Sequence, residues 1–190
     1  MFMSEPSLQE SIMVINIRSM HLASLTAPLH LLSYSALLGT QLYQTFIVTK
    51  ICYDALPRSA FTTLQKRLFP IYFRVQSLLL LLTVVTVPPQ GPLTLVANKA
   101  AWIPFTIAGV TALLNLMVYG PRTRDIMIER VHQATRDARN PDDVTEVSME
   151  MQKLNRTFSR NHAMSIHLNL ISIGATLFWG WRLALRLDFS

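Results

Sequence analysis

The sequence predicts an all-α, polytopic membrane protein: a four-transmembrane-helix bundle whose third and fourth helices run on into a cytosolic helical hairpin. Three observations predict it. Four stretches of about 20 mostly apolar residues, the length that crosses the hydrocarbon core, follow one another along the 190-residue chain. Apolar residues make up 51% of the chain and charged residues only 15%, against about a quarter charged in a soluble domain. The charge also lies between the apolar blocks, with no strand-like alternation inside them.

The first 26 residues form an N-terminal extension. Met1–Met20 carries Glu5 and Glu10 where a signal peptide would have a basic start, so no cleavable signal is expected. The first span runs from Ala27 to Thr49, with His30 near its start as its only ionisable side chain. The connection after it, Lys50–Leu68, holds Lys50, Arg58, Lys66 and Arg67. Within it Phe61, Leu64 and Leu68 share a helical face opposite Arg58 and Lys66, which reads as an interfacial helix over 58–68. An unstructured surface loop is the alternative.

The second span covers Phe69–Val87, and Pro88-Pro89-Gln90-Gly91-Pro92 then begins a short, stiff turn. The third span, Ala101–Tyr119, is free of charge, and Gly120-Pro121 should kink or restart its helix. The fourth span is Ala163–Leu183, with His167 and Arg182 as its ionisable groups. Residues 27–185 thus form the transmembrane domain, and 186–190 a C-terminal tail.

Between the last two spans, residues 121–161 read as a stalk. Asn140-Pro141-Asp142-Asp143 is a turn, and Asp143 with Glu146 resembles a capping box. Before the turn, Met127, Val131, Ala134 and Ala138 recur at helical spacing; after it, Val144, Val147, Met151, Leu154 and Phe158 do the same. Two such stripes predict an antiparallel, coiled-coil-like pair extending roughly 30 Å from the bilayer. Two surface helices folded back on the membrane would be the alternative.

The first and third connections hold four and eight Lys/Arg, against four on the opposite side. The positive-inside rule therefore places both connections in the cytosol and both termini in the lumen or outside the cell, in an endomembrane or the plasma membrane. That asymmetry also accounts for the net charge of +6, so nucleic acid is not an expected partner. The Asn155-Arg156-Thr157 sequon would then never meet the glycosylation machinery. Membrane lipids are the expected surroundings, and the stalk is the expected surface for a second copy or a partner protein.

Aligned by depth, Gln41, Gln44, Thr45, Arg74, Gln76, Asn115, His167 and Asn169 gather in one layer near the cytosolic face. Polar groups so deep must pair or line a wet cavity. Either interhelical hydrogen bonds or a ligand site would explain the layer, with Arg74 reaching toward the headgroups. A haem shared between His30 and His162 or His167 is excluded, because roughly 20–30 Å of depth separates them. A lone Cys52, no Asp or Glu in any span, no GxSxG and no HExxH leave no metal, cofactor or catalytic constellation expected. Gly39 reads as a close helix contact.

Several segments resemble the transmembrane protein 205 family. His30-Leu31-Leu32, Gly39-Thr40-Gln41, Thr45-Phe46, Leu56-Pro57-Arg58, Phe61, Gln65, Leu68-Phe69-Pro70 and Tyr72-Phe73 are similar to its first signature. Pro121-Arg122-Thr123 with Met127 is similar to the second, and Leu154, Phe158, Arg160, His162, Ser165 and Asn169-Leu170 to the third. Tyr43 stands where that family commonly has tryptophan. The resemblance implies four membrane helices, the endomembrane or cell-surface system, and a loose tie to drug tolerance, without a defined reaction. The leading expectation is a non-enzymatic interaction or accessory protein. A small transporter or ligand-binding protein using the polar layer comes second, and a membrane enzyme last.

Overall fold

The computed structural model describes the backbone of residues 8–97, 99–138 and 147–186, and side chains from 25 onward within these apart from 97 and 99. Among the described residues the chain is helical, without strands. Helix α1 (Leu8–Leu42) passes into a π-helical segment, π1 (Tyr43–Val48), and α2 (Thr49–Ala55). Then come α3 (Arg58–Val85), the short α4 (Pro92–Ala97), α5 (Lys99–Leu114), a second π segment, π2 (Asn115–Tyr119), α6 (Gly120–Asp137) and α7 (Met149–Ala184).

Among the described residues, three helices are long and apolar enough to cross a membrane: Arg58–Val85, Ala100–Asp137 and Met149–Ala184. At 1.5 Å per residue the 38-residue Ala100–Asp137 run is about 57 Å long, nearly twice the roughly 30 Å hydrocarbon core. The first helix is not among them. His30, Gln41 and Gln44 interrupt its apolar run, and all three are buried inside the bundle.

The packing is inverted relative to a water-soluble protein. Gln41, Gln76, Thr83, Thr111, Asn115, Asn169, Ser172 and Thr176 are buried, whereas Leu78, Leu81, Ile103, Ile107, Val110, Leu113, Leu170, Ile171 and Phe178 are exposed. Water would drive those side chains inward; lipid tails are as apolar as leucine and do not. Small residues let the helices approach. Ala101, Ala108 and Ala112 of α5 pack with Phe105, Leu37, Leu80 and Trp179 in the apolar core. Buried threonines return their hydroxyl protons to their own helices, Thr83 to the Leu79 carbonyl, Thr111 to Ile107 and Thr176 to Ser172.

At the α3–α4 turn, Gly91 adopts φ +64° and its N–H donates to the Val87 carbonyl. A Cβ there would lie 2.6 Å from the Val85 oxygen, so only glycine closes this turn.

Several expectations change. The interfacial helix over 58–68 is no separate element but the first turns of α3, which runs unbroken from Arg58 through Pro70. From Leu8 the expected N-terminal extension is already part of α1. Gly120-Pro121 follows π2, where the Gly120 N–H donates to the Asn115 carbonyl five residues back. The Asn140–Asp143 turn, the Asp143–Glu146 box and Val144 lie outside the described residues. The described cap of α7 is Ser148, whose side chain accepts from the Met151 N–H.

The stalk pairs α6 with α7, but through a different face of α6. Val131, Ala134 and Ala138 point outward, while Met127, Arg130, Gln133 and Asp137 are half-buried or buried toward α7. On α7, Met151, Leu154 and Phe158 are half-buried, whereas Val147, just before the helix, is exposed. The apolar stripe of one helix thus meets a mainly polar face of the other. Ser148 donates to Asp137 (2.9 Å), Gln133 donates to Asp137 (2.8 Å), and the Arg130 guanidinium lies 4.7 Å from the Phe158 ring centroid.

Candidate functional site

Helical spacing builds the polar layer. Tyr72 and Gln76 stand one turn apart on α3, Asn169 and Ser172 one turn apart on α7, and Gln41 and Thr45 one turn apart across the α1–π1 junction, so each pair shares a face. The amides of Gln41 and Gln76 both donate to the Ser172 hydroxyl, at 3.2 and 3.1 Å. The Tyr72 hydroxyl donates to Asn169 Oδ1 (2.8 Å), and Asn169 Nδ2 donates to the Thr45 hydroxyl (2.9 Å). These bonds tie the first, third and seventh helices together. Asn115, at the start of π2, donates separately to the Ser165 carbonyl (3.0 Å).

Of the layer expected from depth, Gln41, Thr45, Gln76 and Asn169 do meet. Asn115 packs against α7 on its own, and Gln44 is buried without a partner for its amide nitrogen. His167 is a correction: it is exposed and bonds the Ala163 carbonyl of its own helix. Arg74 is exposed as well, in keeping with a side chain that reaches toward the headgroups. Depth alone grouped them. With Tyr72, Phe73 and Gln76 inward, residue 74 points away, and with Ser165, Leu168 and Asn169 inward, so does 167. Gly39 is also corrected, since a Cβ there would meet nothing within 4 Å. Tyr72, quoted only for the family resemblance, and Ser172 joined the network without having been placed in the layer, although their one-turn spacing from Gln76 and Asn169 could have found them.

Beside this network lies a cavity of about 200 Å³ between α3, α6, α7 and π1. Phe69, Pro70, Phe73, Met127 and Ile166 form its apolar walls, and Thr45, Ser165 and Asn169 join it to the polar layer. Lys66, Arg124 and His162 also line it. Arg124 is exposed and Lys66 half-buried, so the basic edge they form faces outward, with the half-buried His162 beside it. The Phe69 and Phe73 rings stack with centroids 5.9 Å apart. A Cβ on Gly120 would come within 3.2 Å of Phe73 and 2.5 Å of the Asn115 carbonyl oxygen, so glycine lets π2 approach this wall.

Two lining side chains stand out. Gln65 is only 3% exposed, yet neither its amide oxygen nor its nitrogen has a partner. The buried Thr123 hydroxyl has none either. Neither residue stood out in the sequence as a site candidate, because both lie outside the apolar spans in which the polar layer was sought. Among the described residues, no Asp, Glu or Cys lines the cavity.

Of the residues carrying the family resemblance, Thr45, Gln65, Phe69, Pro70, Phe73, Thr123, Met127, His162, Ser165 and Asn169 line this cavity. Phe46, Arg58, Pro121 and Arg122 do not, and all four are exposed. His30 belongs elsewhere: Trp179 donates to its Nε2 (3.0 Å), leaving Nδ1–H to donate to the Thr83 carbonyl (2.9 Å). It is a structural tie near the other end of the bundle.

Residues 32–132 match the family described as Domain of unknown function (DUF4149). The chain is also similar to "Xanthocillin biosynthesis cluster protein D" of Aspergillus fumigatus, with 44% identity over 158 residues, 83% of this chain and 88% of that protein. No solved structure matches.

Proposed function

Because the chain belongs to the DUF4149 family, whose name carries no activity, we propose a function from the cavity itself: a non-enzymatic, four-span membrane protein that holds a small amphipathic molecule at the cytosolic leaflet. The observation that carries this reading is Gln65. A buried amide with both atoms unpartnered costs stability, and although both atoms are closed off as the side chain lies, its place in the wall of an apolar cavity gives it a role once it turns inward to a ligand.

The fourth span is the Ala27–Thr49 stretch. Its outward Leu29, Leu31, Leu32, Phe46 and Ile47 are exposed, as a lipid-facing surface requires. The basic connections support a cytosolic position for the cavity, with Lys66 and Arg124 at its edge. Membership of the transmembrane protein 205 type is supported by the signature residues that line the cavity. The fungal relative's name places that protein in a biosynthesis cluster, and by extension we assign this chain to the retention or movement of a small molecule, not to its conversion.

Mass spectrometry of small molecules co-purifying with the full chain tests the reading. Met127→Trp fills the cavity from one wall. A compound enriched with the wild type and lost from Met127→Trp is the expected result; identical profiles would refute a ligand site. Exposed Val131, Ala134, Val147 and Met149 on the stalk favour a second reading, an accessory subunit that docks a partner protein there.

A further inference from the structure

Resting on the cavity reading, we propose that the ligand is a single-ring aromatic acid carrying a hydroxyl or N–H donor beside its carboxylate. Size sets the first limit. A cavity of about 150 Å³ holds benzene, and this one, at about 200 Å³, admits one ring with small substituents. The stacked Phe69 and Phe73 rings and the thioether of Met127 make a wall suited to an aromatic face or edge.

Polarity sets the second limit. Gln65 lacks both an acceptor for its nitrogen and a donor for its oxygen. One carboxylate satisfies the first; a neighbouring hydroxyl or N–H satisfies the second. Thr123 carries a further unpartnered hydroxyl in the cavity wall. Charge sets the third. Lys66 lines the cavity beside an Arg124 whose guanidinium is paired with Asp125, so Lys66 is the charge that favours an anion over a neutral or cationic homologue.

The full chain in lipid nanodiscs is melted with mandelate, mandelamide, benzylamine or decanoate as probes. Mandelate should raise the melting temperature most, with mandelamide weaker and benzylamine without effect. Lys66→Gln should erase the preference for mandelate over mandelamide. Gln65→Leu carries the sharpest expectation: the unliganded protein keeps or gains stability, because a dry unpaired amide is removed, while mandelate affinity falls about tenfold. A purely structural Gln65 would instead lower the unliganded melting temperature, and that result overturns the proposal. Decanoate matching mandelate would assign the site to membrane fatty acids and overturn the aromatic class. A response to benzylamine, or no response to any probe, overturns it as well. Shifts abolished by Met127→Trp but ordered differently among probes would sink this ligand class and leave the cavity reading standing.

Discussion

Asn169 is the residue on which the polar layer turns. It accepts from Tyr72 and donates to Thr45, and Gln76 approaches the same oxygen at 3.5 Å, whereas Gln41 makes a single side-chain bond, to Ser172. Interhelical hydrogen bonds in membranes are worth about 0.6 kcal/mol on average and up to about 1.7. Losing one partner also strands the other. Gln41→Leu should therefore cost about 1 kcal/mol and Asn169→Leu about 2–3 kcal/mol, read as a smaller and a larger drop in melting temperature in detergent. Equal drops would mean that the bonds do not act as drawn. Gln41 lies outside the cavity lining whereas Asn169 and Gln65 belong to it, so Gln41→Leu reports on the fold and Gln65→Leu on the ligand.

At the scale of elements, the stalk departs furthest from expectation. The periodic stripe of α7 was legible because Met151, Leu154 and Phe158 do face inward. The stripe of α6 was misleading: Val131 and Ala134 have the right period, yet the buried face is one residue out of phase, at Arg130 and Gln133. Periodicity finds a helix, but with mixed polar and apolar faces it does not choose the side that packs. A cysteine pair Asp137→Cys with Ser148→Cys, whose native side chains are 2.9 Å apart, should crosslink on mild oxidation in a Cys52→Ser background. Val131→Cys with Met151→Cys should not. The reverse pattern would restore the heptad pairing and undo the arrangement described above.

For the whole molecule, the helical membrane character was readable from block hydrophobicity alone, and the order of the helices from the turns between them. What could not be read was which polar residues at one depth share an interior. That depends on rotation about each helix axis, and two π segments each add a residue to the count that sets it. Topology is testable in cells with single cysteines at Ser4 and Thr135, again in a Cys52→Ser background. Ser4 should be labelled by an impermeant reagent from the lumenal or external side, and Thr135 only from the cytosol. A glycan on Asn155 would contradict the arrangement.

The same π segments bear on how the gene can change. Asn115–Tyr119 sits inside an otherwise α-helical run, so losing one codon there lets the segment relax to an ordinary turn while α5 and α6 keep their mutual phase. Losing one codon elsewhere in that run rotates everything beyond it by about 100°, one residue of a 3.6-residue turn. The stretch beside the cavity is therefore where this helix can absorb a deletion at the least cost to the fold, and where such a deletion would alter how Asn115 and Gly120 meet the site.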